Sequence, residues 1–143
     1  MSIYSEKLTD AINKLESQVK SKLRCQEILN VSDLTLKDLA IIEYVSVKNR
    51  SMGEISAYLN IPPSTLTSII DRLMSKKILK RISDIYDKRK VYIVLGNFGK
   101  KIVELKKQIS NQVSSMMLKG LDDKTTTTLL DILEKMNKNL END

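Results

Sequence analysis

A mainly α-helical chain with one small β-hairpin is what this sequence predicts, on three observations. Apolar residues recur at helical spacing over long stretches near both ends of the chain. Gly and Pro are scarce, four and two among 143 residues, which leaves little room for loop. One run, Val91-Tyr92-Ile93-Val94-Leu95, is the strongest strand signal in the chain.

In residues 4–29, Leu8, Ile12, Leu15, Val19 and Leu23 step by 4, 3, 4 and 4. That is one apolar stripe on a long helix whose other faces are polar. Asn30 to Thr35 is a polar break, and Thr35 or Asp33 can cap the next helix. That helix runs from Leu36 to Lys48, with Leu36, Leu39, Ala40, Ile42, Tyr44 and Val47 expected to be largely buried. Ser51, followed three residues later by Glu54, forms a capping box for a short helix carrying Ile55 and Leu59 inward.

Asn60-Ile61 turns the chain, and Pro62-Pro63 restarts it. Pro63 suits a first helical position, because its missing N–H would have no partner there. The helix that follows has a buried face of Leu66, Ile69, Ile70 and Leu73. Its opposite face is Ser64, Thr65, Thr67, Ser68 and Arg72. Ile78–Ser83 and Lys90–Leu95 are the two strands, joined by a loop from Asp84 to Arg89. A second long helix covers about residues 98–118, with Ile102, Leu105, Ile109, Val113 and Met116 stepping by 3, 4, 4 and 3. Gly120 stops it. Asp122 or Asp123 caps a last helix reaching about Leu140.

Helix, turn, helix and hairpin in that order make a winged helix-turn-helix. Such a module offers one helix to the DNA major groove and the hairpin tip to the neighbouring backbone or minor groove. The charge agrees. The chain carries +6 in all. Residues 71–90 alone hold eight basic groups against three acidic ones, a net of +5 in twenty residues. A local excess of this kind is the footprint of a polyanion. Short hydroxyls on the exposed helix face let it sit deep in a groove, and the helix N-terminus favours a phosphate.

Other classes are disfavoured. There is no His, which removes the commonest general base and metal ligand. One Cys excludes an internal disulfide and fits a reducing compartment. No nucleotide-binding loop, nucleophile elbow or CxxC occurs. An enzyme, a cofactor and a metal are therefore not expected. No apolar run approaches the roughly 18 residues of a membrane span, and the start lacks a signal-peptide core. A cytoplasmic protein without membrane contact is the expectation.

With these elements in place, the chain resembles the MarR family (multiple antibiotic resistance regulators) over nearly its whole length. The specific match is Asp87-Lys88-Arg89, then Leu95, then Gly99-Lys100, which resembles the family's D-x-R-x(5)-L-T-x-x-G wing signature. Pro63-Ser64-Thr65-Leu66-Thr67 and Asp71-Arg72-Leu73 resemble its recognition helix. The resemblance implies that Arg89 enters the minor groove and that Asp87 helps hold it. It also implies a small-molecule effector seated between the dimer helices and the winged module, without identifying one. Four positions depart from the family pattern. Pro62 stands in place of a capping Ser. Ser68 replaces an Arg that reads guanine. Ile78 takes the place of the glycine that ends the recognition helix, which predicts an end without a left-handed cap. Gly96 replaces a capping Thr. In the first helix, Cys25 lies between Arg24 and Glu27, which pull a thiolate in opposite directions. It reads as a passive thiol rather than an oxidant sensor.

Length favours one domain, residues 1–143, with residues 36–95 as the DNA-binding module and residues 1–35 and 96–143 as a helical dimerisation region. The terminal helices carry more apolar surface than the small module can cover, and a twofold dimer matches palindromic DNA. The expected contacts are Ser51, Ser64, Thr65, Thr67, Ser68, Arg72, Lys76, Asp87, Lys88, Arg89 and Lys90. The expected partner is double-stranded DNA bearing an A·T-rich inverted repeat. The expected role is a repressor acting as a homodimer. The alternative is a winged-helix protein–protein adaptor that never touches DNA; the +5 segment argues against it.

Overall fold

The computed structural model describes residues 3–23 and 33–142. The chain divides into two compact units, Met1–Ile109 and Ser110–Asp143. Its elements are α1 (Ile3–Lys22), α2 (Leu36–Val47), α3 (Met52–Leu59), α4 (Pro63–Ser75), β1 (Leu79–Ser83), β2 (Val91–Leu95), α5 (Asn97–Leu118) and α6 (Asp123–Glu141). The fold is mainly α-helical with one two-stranded antiparallel hairpin.

In the first unit, α1 is helical as its stripe predicts, and Leu8, Ile12 and Leu15 are exposed on the single chain. The rest of the expected helix, residues 24–29 with Cys25, lies outside the described residues. Thr35 rather than Asp33 caps α2. Its Oγ1 accepts from the Asp38 amide at 3.1 Å, and Asp38 returns a carboxylate oxygen to the Thr35 amide at 2.8 Å. The expectation that Leu36 and Val47 are buried is corrected, since both are exposed. They lie eleven residues, or about three turns, apart and so share one side of the helix. The opposite side buries Asp38, Leu39, Ile41, Ile42 and Val45.

Ser51 and Glu54 cap α3 reciprocally, the Glu54 amide donating to Ser51 Oγ at 3.1 Å and the Ser51 amide to Glu54 Oε2 at 2.7 Å. At the turn Asn60 takes a left-handed conformation, φ 51°, which its short amide tolerates. Pro63 occupies the first turn of α4. Ile55, Leu66, Ile70 and Leu73 are fully buried and lock α3 to α4.

The end of α4 departs from expectation. Lys77 is left-handed, φ 58°. Its amide bonds Met74 O at 2.9 Å, and the Ile78 amide bonds Leu73 O at 3.0 Å. This pair of bonds is a Schellman end, with Leu73 and Ile78 buried beside it. A left-handed cap is therefore present, and the residue that adopts it is Lys77, not Ile78.

β1 and β2 pair antiparallel with Leu79 opposite Leu95 and Ser83 opposite Val91. Leu79 and Ile93 point into the core. Arg50 adds an isolated bridge, exchanging bonds with Ile93 at 3.2 and 2.7 Å. Its guanidinium lies 3.8 Å from the Tyr44 ring centre, and Tyr44 stacks on Tyr58 at 3.9 Å. The start of α5 closes on the end of α4. Gly96 N donates to Ile78 O at 2.7 Å and Phe98 N to Lys77 O at 3.1 Å. Any Cβ on Gly96 would lie 2.3 Å from Lys77 O, and one on Gly99 2.2 Å from Ile78 O. Glycine at both positions is what lets the two backbones meet.

In the second unit, Gly120 takes φ 86° and ends α5. Asp122, not Asp123, caps α6, its Oδ1 accepting from the Thr125 amide at 2.7 Å. Val113 is buried, whereas Leu130, Ile132, Leu133 and Leu140 of α6 are exposed on the single chain.

Candidate nucleic-acid interface

The outward face of α4 carries Ser64, Thr65, Thr67 and Ser68, all exposed. Pro62 precedes the helix without offering a side-chain cap, and Pro63 has no N–H. The Leu66 amide already bonds Pro62 O at 3.0 Å. The amides of Ser64 and Thr65 therefore stand open at the positive end of the helix, a ready anion site. The hydroxyls differ in what they have left. Thr67 Oγ1 donates to Pro63 O at 2.9 Å, so lone pairs and a methyl face outward. Ser68 Oγ reaches back to Ser64 O at 3.5 Å.

Six of the eight cations of residues 71–90 fall into two sets, with Lys77 and Lys80 exposed outside both. Arg72, Lys76 and Arg81 are each matched by a carboxylate. Arg72 Nη2 lies 2.6 Å from Asp38 Oδ1, Lys76 Nζ 3.5 Å from Asp33 Oδ2, and Arg81 Nη2 3.0 Å from Asp71 Oδ1. The wing holds the second set. Lys88, Arg89 and Lys90 are all exposed, the Arg89 side chain at 93%. Arg89 Nε donates to Asp87 Oδ1 at 3.2 Å, and the Arg89 amide donates to the same oxygen at 3.1 Å. One carboxylate oxygen thus orients both the backbone and the guanidinium.

Asp84 organises the rest of the loop. Its Oδ1 accepts from the Tyr86 amide at 2.8 Å and the Asp87 amide at 2.9 Å. These bonds, that of Asp87 first, hold the Asp84 carboxyl below its ordinary range. The Asp84 amide donates to Lys90 O, and the Lys90 amide to Asp87 O, both at 2.9 Å. The tip is a bonded turn rather than a loose loop.

A cleft of about 560 Å³ gathers these parts, lined among others by Met52, Pro63, Thr67, Arg81 and Val91. The first turn of α3, the face of α4 and the base of the wing meet there. Arg81 is the member the sequence reading passed over. Its signal was strand alternation, which places it on the same sheet face as Leu79 and opposite Ile93. Ser51, expected at this interface, is half-buried and spends its hydroxyl oxygen on capping α3. Among the described residues no cluster of His, Cys, Asp or Glu is placed to hold a metal ion, and no helix is long and apolar enough to cross a membrane.

The order of helix, turn, helix and hairpin is that of a winged helix-turn-helix. Residues 32–90 match the model of the MarR family. A MarR family protein from Bacillus stearothermophilus superposes with a TM-score of 0.78 at 20% identity, covering 99% of each chain. The S. aureus protein MepR, solved bound to ethidium bromide, superposes at 0.68 with 21% identity over 92% of this chain and 95% of that one. The uncharacterized HTH-type transcriptional regulator YsmB of Bacillus subtilis is 29% identical over 84 residues. That match spans 58% of this chain and 58% of the relative's own length.

Proposed function

We propose that this chain is a homodimeric repressor that binds an A·T-rich inverted repeat and is released by a small ligand, working in the cytoplasm. The observation that carries the DNA reading is Arg89, fully outward at a bonded wing tip and oriented by Asp87, in the same unit as an uncapped recognition helix. Ser64 and Thr65 hold a phosphate with their amides and hydroxyls. Thr67 and Ser68 meet base edges and thymine methyls. Arg89 enters the minor groove, with Lys88 and Lys90 on the flanking phosphates. Ser51, Arg72 and Lys76 lie at the rim, held by Glu54, Asp38 and Asp33.

The dimer reading is supported by the apolar stripes left exposed on α1 and α6. It assigns residues 1–35 and 96–143 to dimerisation and residues 36–95 to DNA. The ligand reading is supported by MepR, a structural relative that binds ethidium.

Selection from a random duplex pool with purified protein tests the whole reading. An enriched inverted repeat, bound with strong salt dependence by a species of twice the chain mass, is the expected result. Absence of duplex binding at low salt refutes the DNA role and favours the protein–protein adaptor. Binding by a single chain refutes the dimer.

A further inference from the structure

The wing tip carries two large apolar side chains in full contact with water. Tyr86 is 97% exposed and Ile85 89% exposed. Exposed apolar groups scattered singly are ordinary. These two are adjacent, and they occupy a turn whose backbone is already fixed by Asp84.

The acids of the loop are spent within it, on backbone amides and on Arg89. Asp84 Oδ1 takes the Tyr86 and Asp87 amides, and Asp87 Oδ1 takes the Arg89 amide and guanidinium. What the tip offers outward is an aromatic ring, a branched aliphatic chain and the cations Lys88, Arg89 and Lys90. That combination complements a nucleic-acid minor groove. The groove walls are apolar sugar faces, and phosphates run along their rims.

We propose that Tyr86, with Ile85 beside it, packs on a deoxyribose wall of the minor groove that Arg89 enters, and so makes the wing sensitive to groove width. This rests on the DNA-binding reading above. Arg89 supplies charge, which acts over a Debye length and tolerates some misfit. The ring supplies contact, which is lost within about an ångström of separation. A narrow groove brings its sugar wall against the ring, whereas a wide one leaves a gap. Because the tip is bonded before DNA arrives, little ordering cost is left for binding.

The chain contains no Trp, so Tyr86→Trp introduces a single fluorescent reporter. Duplex binding is followed separately by anisotropy of labelled DNA taken from the selection. On adding duplex, Trp emission is expected to shift to the blue and to become shielded from acrylamide. Tyr86→Ala is expected to weaken binding about tenfold, the order of one aromatic contact, with the salt slope unchanged. Tyr86→Phe is expected to keep most of the affinity, because the ring carries the contact.

Bound duplex with Trp emission still fully quenchable overturns the proposal and leaves the DNA-binding reading standing. So does Tyr86→Ala binding like the parent, which decides the matter even where the Trp variant binds poorly. Shielding by phosphatidylglycerol vesicles but not by duplex overturns it in favour of a lipid surface. If the unaltered protein binds no duplex at all, the DNA-binding reading fails first and this proposal with it.

Discussion

Arg72 on α4 places Nη2 2.6 Å from Oδ1 of Asp38 on α2, whose side chain is only 1% exposed. The other oxygen of Asp38 takes the Thr35 amide at 2.8 Å. One carboxylate therefore caps α2 and anchors α4. The angle at which α4 is presented depends on a cation that the proposed function counts among the DNA contacts.

Arg72→Ala leaves that carboxylate buried with only its cap bond. A fully buried pair broken from one side costs about 3–5 kcal/mol, and Arg72 reaches water, so a loss of about 2 kcal/mol is expected. Asp38→Asn keeps a cap acceptor and loses less. Urea unfolding at fixed protein concentration measures both. An Arg72→Ala protein as stable as its parent would show that the pair does not anchor the helix. Any loss of DNA affinity in this variant has to be read against its stability.

Local features were legible because the partners are close in sequence. Ser51 and Glu54 sit three residues apart, and a capping box needs nothing else. Pro63 at the start of α4 and Val91–Leu95 as a strand follow from single-residue chemistry. Asp38 was not legible as a buried group. Its counterion is 34 residues away, and on the helix it reads as a solvated charge. Leu36 and Val47 are exposed because helical phase, not apolar identity, decides which side of α2 is buried. In the interface, the outward set on α4 followed from periodicity. The matching of Arg72, Lys76 and Arg81 with carboxylates did not, since a charge count carries no geometry.

Two neighbouring substitutions are expected to act in opposite directions. Lys77 is held at φ 58°, where an L side chain costs about 1–2 kcal/mol and glycine costs no steric strain. Lys77→Gly is expected to stabilise by about 1 kcal/mol, its extra unfolded-state entropy offsetting part of the gain. Gly96→Ala drives a Cβ against the Lys77 carbonyl, which is backbone and cannot swing aside. A loss of about 2 kcal/mol is expected. Thermal or urea melts of the two variants settle the signs, and a stabilising Gly96→Ala would contradict the close approach of α5 to the end of α4.

Arg89→Ala is expected to leave folding within about 0.5 kcal/mol of the parent, because the side chain is almost wholly in water. Operator affinity should fall strongly, and the slope of log K against log salt should fall by about one per subunit. Asp87→Ala keeps the cation but frees its fork, so affinity should drop less and the slope should hold. Unchanged affinity of Arg89→Ala at moderate salt is the result that removes Arg89 from the interface.

Deleting residues 124–143 removes nearly all of α6 with Leu129, Leu130, Leu133 and Leu140. If that surface is a dimer contact, the shortened chain should run as a monomer or aggregate in light scattering and lose cooperative operator binding. A well-folded monomer that still binds the operator with full affinity would show the terminal helices to have another purpose.

The operator is expected to be an A·T-rich inverted repeat with half-sites roughly one helical turn apart. Ser64, Thr65, Thr67 and Ser68 cannot make the bidentate guanine contact that Arg or Lys makes. Thr67 has already committed its proton to Pro63 O, so it offers an acceptor and a methyl. An acceptor suits an adenine amino group, and a methyl suits a thymine. Arg72, the one long cation on this face, is drawn back to Asp38. Specificity then leans on DNA shape, read by Arg89 in a narrow minor groove of the kind A-tracts supply. Discrimination between related sites should be modest, with single mismatches costing near the low end of about 1–3 kcal/mol. Ser68→Arg should shift the selected half-site toward a G, since it restores a free guanidinium to the groove face. A parent consensus dominated by G·C pairs would show that the helix reads bases by contacts other than these.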